Sequence, residues 1–163
     1  MRKLWIVTGG AAFAVTVLVT GAFAAATVTT KVVPFTAKYT GTAVTKQTDT
    51  KVDITANGTG RGTLIGIGKV TGLGTGDSSV RPCLPFNGTG SMKGPGGVIT
   101  FKVNPGTAGC GDDAGQLFSI SGKASVLKAT GMLAKAKGTL KMTGTYDRSS
   151  GAFSVKFSGS LTN

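Results

Sequence analysis

The feature that most restricts this chain is a strict period of two across residues 139–161. Leu140, Met142 and Tyr146 fall on one face, and Thr139, Lys141, Thr143 and Thr145 fall on the other. Beyond Asp147-Arg148-Ser149-Ser150-Gly151, the residues Phe153, Val155, Phe157 and Leu161 alternate with Ser154, Lys156, Ser158 and Ser160. Successive side chains of a strand point to opposite faces, so the pattern calls for two antiparallel strands with one face on a core and one in water. The connecting residues suit a tight turn, because Asp and Ser bond their own backbone and Gly takes the left-handed conformation that closes such a loop.

The same alternation recurs upstream. Val33, Phe35, Ala37 and Tyr39 share a face, and a Thr-rich run then leads into Val52 and Ile54. Ile99, Phe101 and Val103 form another face, as do Phe118, Ile120, Gly122, Ala124 and Val126. Asn57-Gly58-Thr59-Gly60 reads as a turn, and Asn87-Gly88-Thr89-Gly90 repeats it thirty positions on. Both also match the N-glycosylation acceptor pattern, for which two Asn-Gly turns are a sufficient account. Within 61–76 the apolar residues change parity, which predicts a bulge, a bend or burial on both faces. Residues 104–115 carry no strand pattern and are expected to be the longest loop. The count is about eight short strands, the spacing of an all-β fold. Small inward residues beside Phe and Ile favour a single antiparallel β-barrel, with a β-sandwich as the alternative.

Ahead of the strands stands Met1-Arg2-Lys3, then an uncharged run to Ala26 with Ala22-Phe23-Ala24 near its end. A basic start, an apolar middle and an A-x-A site are the parts of a secretory signal peptide, so residues 1–24 are expected to be removed after Ala24. The alternative is an uncleaved anchor, since a run of this length can span a bilayer. Cleavage leaves residues 25–163 as a single barrel domain with no permanent membrane span. The style of the leader and the Gly/Ala/Thr-rich composition suggest a bacterial host. Of the eighteen basic residues Arg2 and Lys3 are lost, leaving sixteen against six Asp, a net +10.

Cys83 and Cys110 are the two cysteines of the chain. In an exported protein such a pair, both in Pro/Gly-rich loops, argues for one disulfide. A metal site is disfavoured because the chain has no His and no Glu to complete it. The same absence leaves no Ser or Cys with a base to activate it and excludes a hydrolytic triad. Gly66-Ile67-Gly68 with Gly72 lacks the helix a dinucleotide loop needs. Asp112-Asp113 could offer carboxylates to calcium or a cationic ligand, although adjacent Asp residues are ordinary turn formers. Lys123, Lys128, Lys135, Lys137 and Lys141 are dense enough to form a basic patch for an anionic envelope polymer, against the plainer account of a solvated face. No specific nucleic acid and no cofactor is implied.

Thr130-Gly131-Met132-Leu133-Ala134-Lys135-Ala136-Lys137-Gly138, followed by a strand, resembles the late motif of the allene oxide cyclase and dirigent barrels. The resemblance covers about the last forty residues and implies a small eight-stranded barrel with an interior pocket for an apolar ligand. None of the pocket residues that perform chemistry in those families has a counterpart here. Met142-Thr143-Gly144-Thr145-Tyr146-Asp147 is similar to a strand of avidin-type barrels. Those bind with Trp, whereas the single Trp of this chain is Trp5, in the leader.

The expectation is therefore a secreted or extracytoplasmic, disulfide-stapled barrel without catalysis, binding a small apolar ligand or acting as an envelope-associated module. One alternative is a barrel-cyclase or isomerase-type enzyme on an apolar substrate, which would need Tyr39 or Tyr146 in a pocket beside a buried Asp. The other is an electrostatic binder of anionic envelope polymers.

Overall fold

Alternation along each strand becomes the two faces of a closed wall. The computed structural model describes residues 31–162, and the expected leader with its expected cleavage after Ala24 lies outside them. The strands are β1 (Val32–Thr48), β2 (Lys51–Gly62), β3 (Gly66–Asp77), β4 (Cys83–Gly94), β5 (Gly97–Val103), β6 (Ala108–Gly111), β7 (Leu117–Ala129), β8 (Thr139–Asp147) and β9 (Ala152–Thr162). Neighbours pair antiparallel from β1 round to β4 and from β7 to β9, and β9 returns to β1. Both β5 and β6 lie between β4 and β7, end to end, and form one interrupted stave. Nine strands thus make an eight-stave antiparallel barrel, and closure removes the free edges at which open sheets pair with other chains.

The interior is built by the predicted alternation. Phe35, Ala37 and Tyr39 of β1, Leu140 and Met142 of β8, and Phe153, Val155, Phe157 and Leu161 of β9 are all buried. The outward positions of the same strands carry Thr, Ser and Lys. At the β8–β9 turn Asp147 Oδ1 accepts bonds from the Ser149 and Ser150 amides, and Gly151 takes a φ of +72°. Here local turn chemistry and tertiary alternation agree.

One end of the barrel is sealed. After β7 the chain forms a single 3-10 turn, Gly131–Leu133, and crosses beneath the staves before entering β8. Leu133 and Ala136 of this segment are buried against the core that holds Ile65, Met92, Ile99 and Leu161. The crossing is tied down by the Met132 amide on Gly96 O and by the reciprocal backbone bonds of Lys137 and Thr162. The stretch on which the allene oxide cyclase resemblance rests is this closing segment.

Four expectations need correction. Asn57-Gly58-Thr59-Gly60 and Asn87-Gly88-Thr89-Gly90 are not turns; they lie inside β2 and β4, with both Asn side chains outward. The glycines are there because bulky inward rings of neighbouring staves need the space. Gly60 is opposite Tyr39 and Gly90 is opposite Phe101, and a Cβ at either would run into the facing ring. The parity change within 61–76 produces no bulge, since β2 and β3 hold unbroken register from Gly62 and Gly66 to Lys51 and Asp77. Instead Val70 points inward while Ile67 and Leu73 stand outward, each 65 % exposed. Finally, 104–115 is not one loop. Residues 104–107 are set against two residues on each neighbour, and β6 then resumes the stave. Thr107 fills this insertion, accepting a hydrogen bond from the Lys123 amide at its hydroxyl and one from the Phe86 amide at its carbonyl.

Cys83 and Cys110 form the expected disulfide, but between paired strands rather than loops: they are direct register partners on β4 and β6. A bridge of this kind persists in an oxidising, non-cytoplasmic environment. No helix among the described residues is long and apolar enough to cross a membrane.

Candidate functional site: an apolar cup with a charged rim

The end of the barrel opposite the crossing segment is open, and the interior there is hollow. The cup measures about 440 Å³ and is walled by inward residues of most of the staves. Its floor is Phe101, Phe157, Val155 and Met142, and its upper wall carries Ile54, Phe86, Phe118 and Ile120. On β3 the inward positions at this height are Gly72, Gly74 and Gly76, so the hollow exists because three successive wall positions have no side chain. A volume of this size falls within the range of small-molecule sites, and mostly apolar walls with few polar groups are their usual make-up.

Thr71, Asn87 and Thr89 of the wall turn their side chains outward, and the other polar lining residues lie at the rim. Tyr146 Oη and Thr45 Oγ1 are 3.3 Å apart, and Gln47 Nε2 donates to Ser78 Oγ and to the Asp49 carbonyl. Arg81, just before β4, and Arg148, just after β8, complete the lining. No Asp lines the cup. Asp77 accepts from the Ser79 amide and hydroxyl, Asp112 from the Gln116 and Leu117 amides, and Asp147 from Ser149 and Ser150. Asp112 is therefore a loop organiser, and no cluster of three potential metal-ligating residues occurs among the described residues.

Those serine donors hold the Asp147 carboxyl down at about 2, against an ordinary 3.8. A carboxyl lowered in the folded state stabilises the fold above its unfolded value, and the contribution disappears as pH falls through about 2. Asp147→Asn is accordingly expected to lower the urea midpoint at about pH 6, with the gap to wild type closing between about pH 4 and pH 2. A gap that stayed constant across that range would show that the carboxylate charge contributes nothing.

The two tyrosines separate in the structure. Tyr146 lines the cup, whereas Tyr39 sits in the sealed half, fully buried, its hydroxyl without a partner among the described residues. Burial pushes the Tyr39 pKa up. Among the described residues the tyrosine and buried Asp that a cyclase-type site would combine are not brought together.

The lysines of the sequence cluster lie on β7, β8 and the crossing segment. Lys123 and Lys141 are register partners on β7 and β8, Lys128 is the penultimate residue of β7, and Lys135 and Lys137 follow the 3-10 turn in the crossing segment. Around the wall, Arg61, Lys38 and Lys156 form a second row on β2, β1 and β9. All six Asp lie at the open end, on the rim turns or the strand ends beside them, where they share space with Lys46, Lys51, Arg81 and Arg148. The other twelve basic residues of the described chain occupy the wall and the sealed end without a carboxylate among them. Sequence reasoning missed the second row because its members are far apart in the chain and meet only through strand register. It missed Arg81 and Arg148 because a rim built from four separate loops has no local signature.

Comparisons with protein families, with curated proteins and with solved structures gave no match. The fold and the hollow alone define the class: a closed eight-stave antiparallel barrel, sealed at one end and open to an apolar cup at the other.

Proposed function

We propose that this is an exported, non-catalytic binding protein that carries a small apolar molecule in the cup. The observation that supports the reading is the hollow itself, since an eight-strand barrel either fills its interior with side chains or has room there for one small ligand. Export follows from the leader and its Ala22-Phe23-Ala24 site and agrees with the disulfide. The test is native mass spectrometry of protein recovered from its own host, beside a Gly72→Phe variant. A Cβ at Gly72 would meet its nearest neighbours at 3.8 and 3.9 Å, ordinary contact distances, so a ring there enters the hollow rather than the wall. Wild type is expected to carry an extra mass that is lost on denaturation, and the variant to carry none. Equal occupancy, or a bare polypeptide in both, would remove the ligand-carrying function.

A second reading is favoured by the charge segregation: the wall and sealed end bind an anionic envelope polymer. Lysines directly opposite one another cost stability, so their rows are a feature that solubility alone does not require. Retention on such a polymer is expected to fall steeply with added salt, and salt-independent retention would remove this reading.

A further inference from the structure

We infer that the ligand of the cup is an anionic amphiphile, with an apolar tail on the aromatic floor and a carboxylate or phosphate head held between Arg81 and Arg148. This rests on the ligand-binding reading and specifies its chemistry. Arg81 leads into β4 and Arg148 follows β8, three staves apart in a barrel of eight, so the two guanidiniums reach the mouth from nearly opposite sides. The lining contains these two cations and no carboxylate.

The acidic residues nearby keep their charge, but none of them lines the cup. Asp147 is adjacent to Arg148 in sequence, yet its carboxylate accepts from Ser149 and Ser150, and that of Asp77 accepts from Ser79. Both carboxylates are thus turned to their own loops, and the two arginines are the charged groups on the lining. Tyr146 and Gln47 are tied to Thr45, Ser78 and the Asp49 carbonyl, which leaves the guanidiniums as the charged donors facing the cup. A planar guanidinium binds carboxylate or phosphate through paired N–H donors, and it does so more strongly where apolar walls exclude water. Below them Phe101, Val155 and Phe157 offer nothing polar, so a head group at any other depth would lose its hydration without replacement.

The test is calorimetric titration of the mature protein with decanoate, decanol and decylamine, repeated on Arg81→Gln with Arg148→Gln and on Gly72→Phe. Decanoate is expected to bind at least about tenfold more tightly than decanol, with decylamine weakest. The double arginine variant is expected to lose that advantage while keeping its decanol affinity, and Gly72→Phe to lose both ligands. Both arginines are exposed and lie outside the strands, so circular dichroism of the variant should match wild type. Equal affinity for decanoate and decanol, or a decanoate preference that survives loss of both arginines, would overturn the head-group inference and leave the apolar cup standing. Failure of every probe to bind, or binding untouched by Gly72→Phe, would overturn the cup itself. Decyl phosphate in place of decanoate then distinguishes the two head groups.

Discussion

Phe157→Ala is expected to cost about 3–5 kcal/mol, the largest loss from any single truncation in this wall. Phe157 is 1 % exposed, and its ring packs on Phe101 with centroids 5.1 Å apart. The pair forms the partition between the hollow and the sealed core, and Met142 lies opposite Phe157 on β8. Removing one ring deletes its transfer free energy and opens the sealed core onto the cup, where no neighbour stands close enough to fill the vacated space. The measurement is urea unfolding followed by far-ultraviolet circular dichroism, since the one Trp of the chain, Trp5, lies outside residues 31–162. A loss below about 1 kcal/mol would mean that the partition is not packed as described.

The second large effect is that of the disulfide. Replacing both cysteines, Cys83→Ser with Cys110→Ser, is expected to lower stability by about 3.5 kcal/mol from the chain entropy returned to the unfolded state. The two residues are 27 apart in sequence, and the bridge closes the segment that holds the rest of β4, all of β5 and the 104–107 insertion. Reduced wild type should unfold at the same urea concentration as the double variant. Amide exchange in β6, a strand of four residues, should accelerate before exchange in the long strands does. Indistinguishable midpoints for oxidised and reduced protein would assign the bridge no stabilising role.

What could be read in advance follows the scale of each interaction. The alternation from Leu140 to Leu161 shows directly in the side chains, and the structure buries the predicted faces of β8 and β9. The Asp147 turn is equally local. The Asn-Gly tetrapeptides misled for a physical reason: Gly58, Gly60 and Gly90 leave space for the rings of Phe153, Tyr39 and Phe101, and Gly88 for the β3 backbone, a non-local demand that a local reading can only assign to turns. The same holds for β6, four residues with two glycines and a cysteine, which is a strand because β4 and β7 already flank it. Of the site, the floor was visible as alternating aromatics. An interior pocket was expected only from the barrel resemblance, and its position was not legible, since it depends on Gly72, Gly74 and Gly76 meeting those aromatics across the barrel at one height. The arginine rim required knowing which loops share an end.

The separation of charge along the barrel gives the molecule a direction before it touches anything. A body with twelve unopposed cations on its wall and base, and six carboxylates against four cations around its mouth, experiences a torque in the field of any negatively charged surface. It approaches base first, and the mouth is turned toward the solvent. The open mouth then lies on the side away from the surface, so under the two proposed readings attachment and exchange of a ligand use different faces.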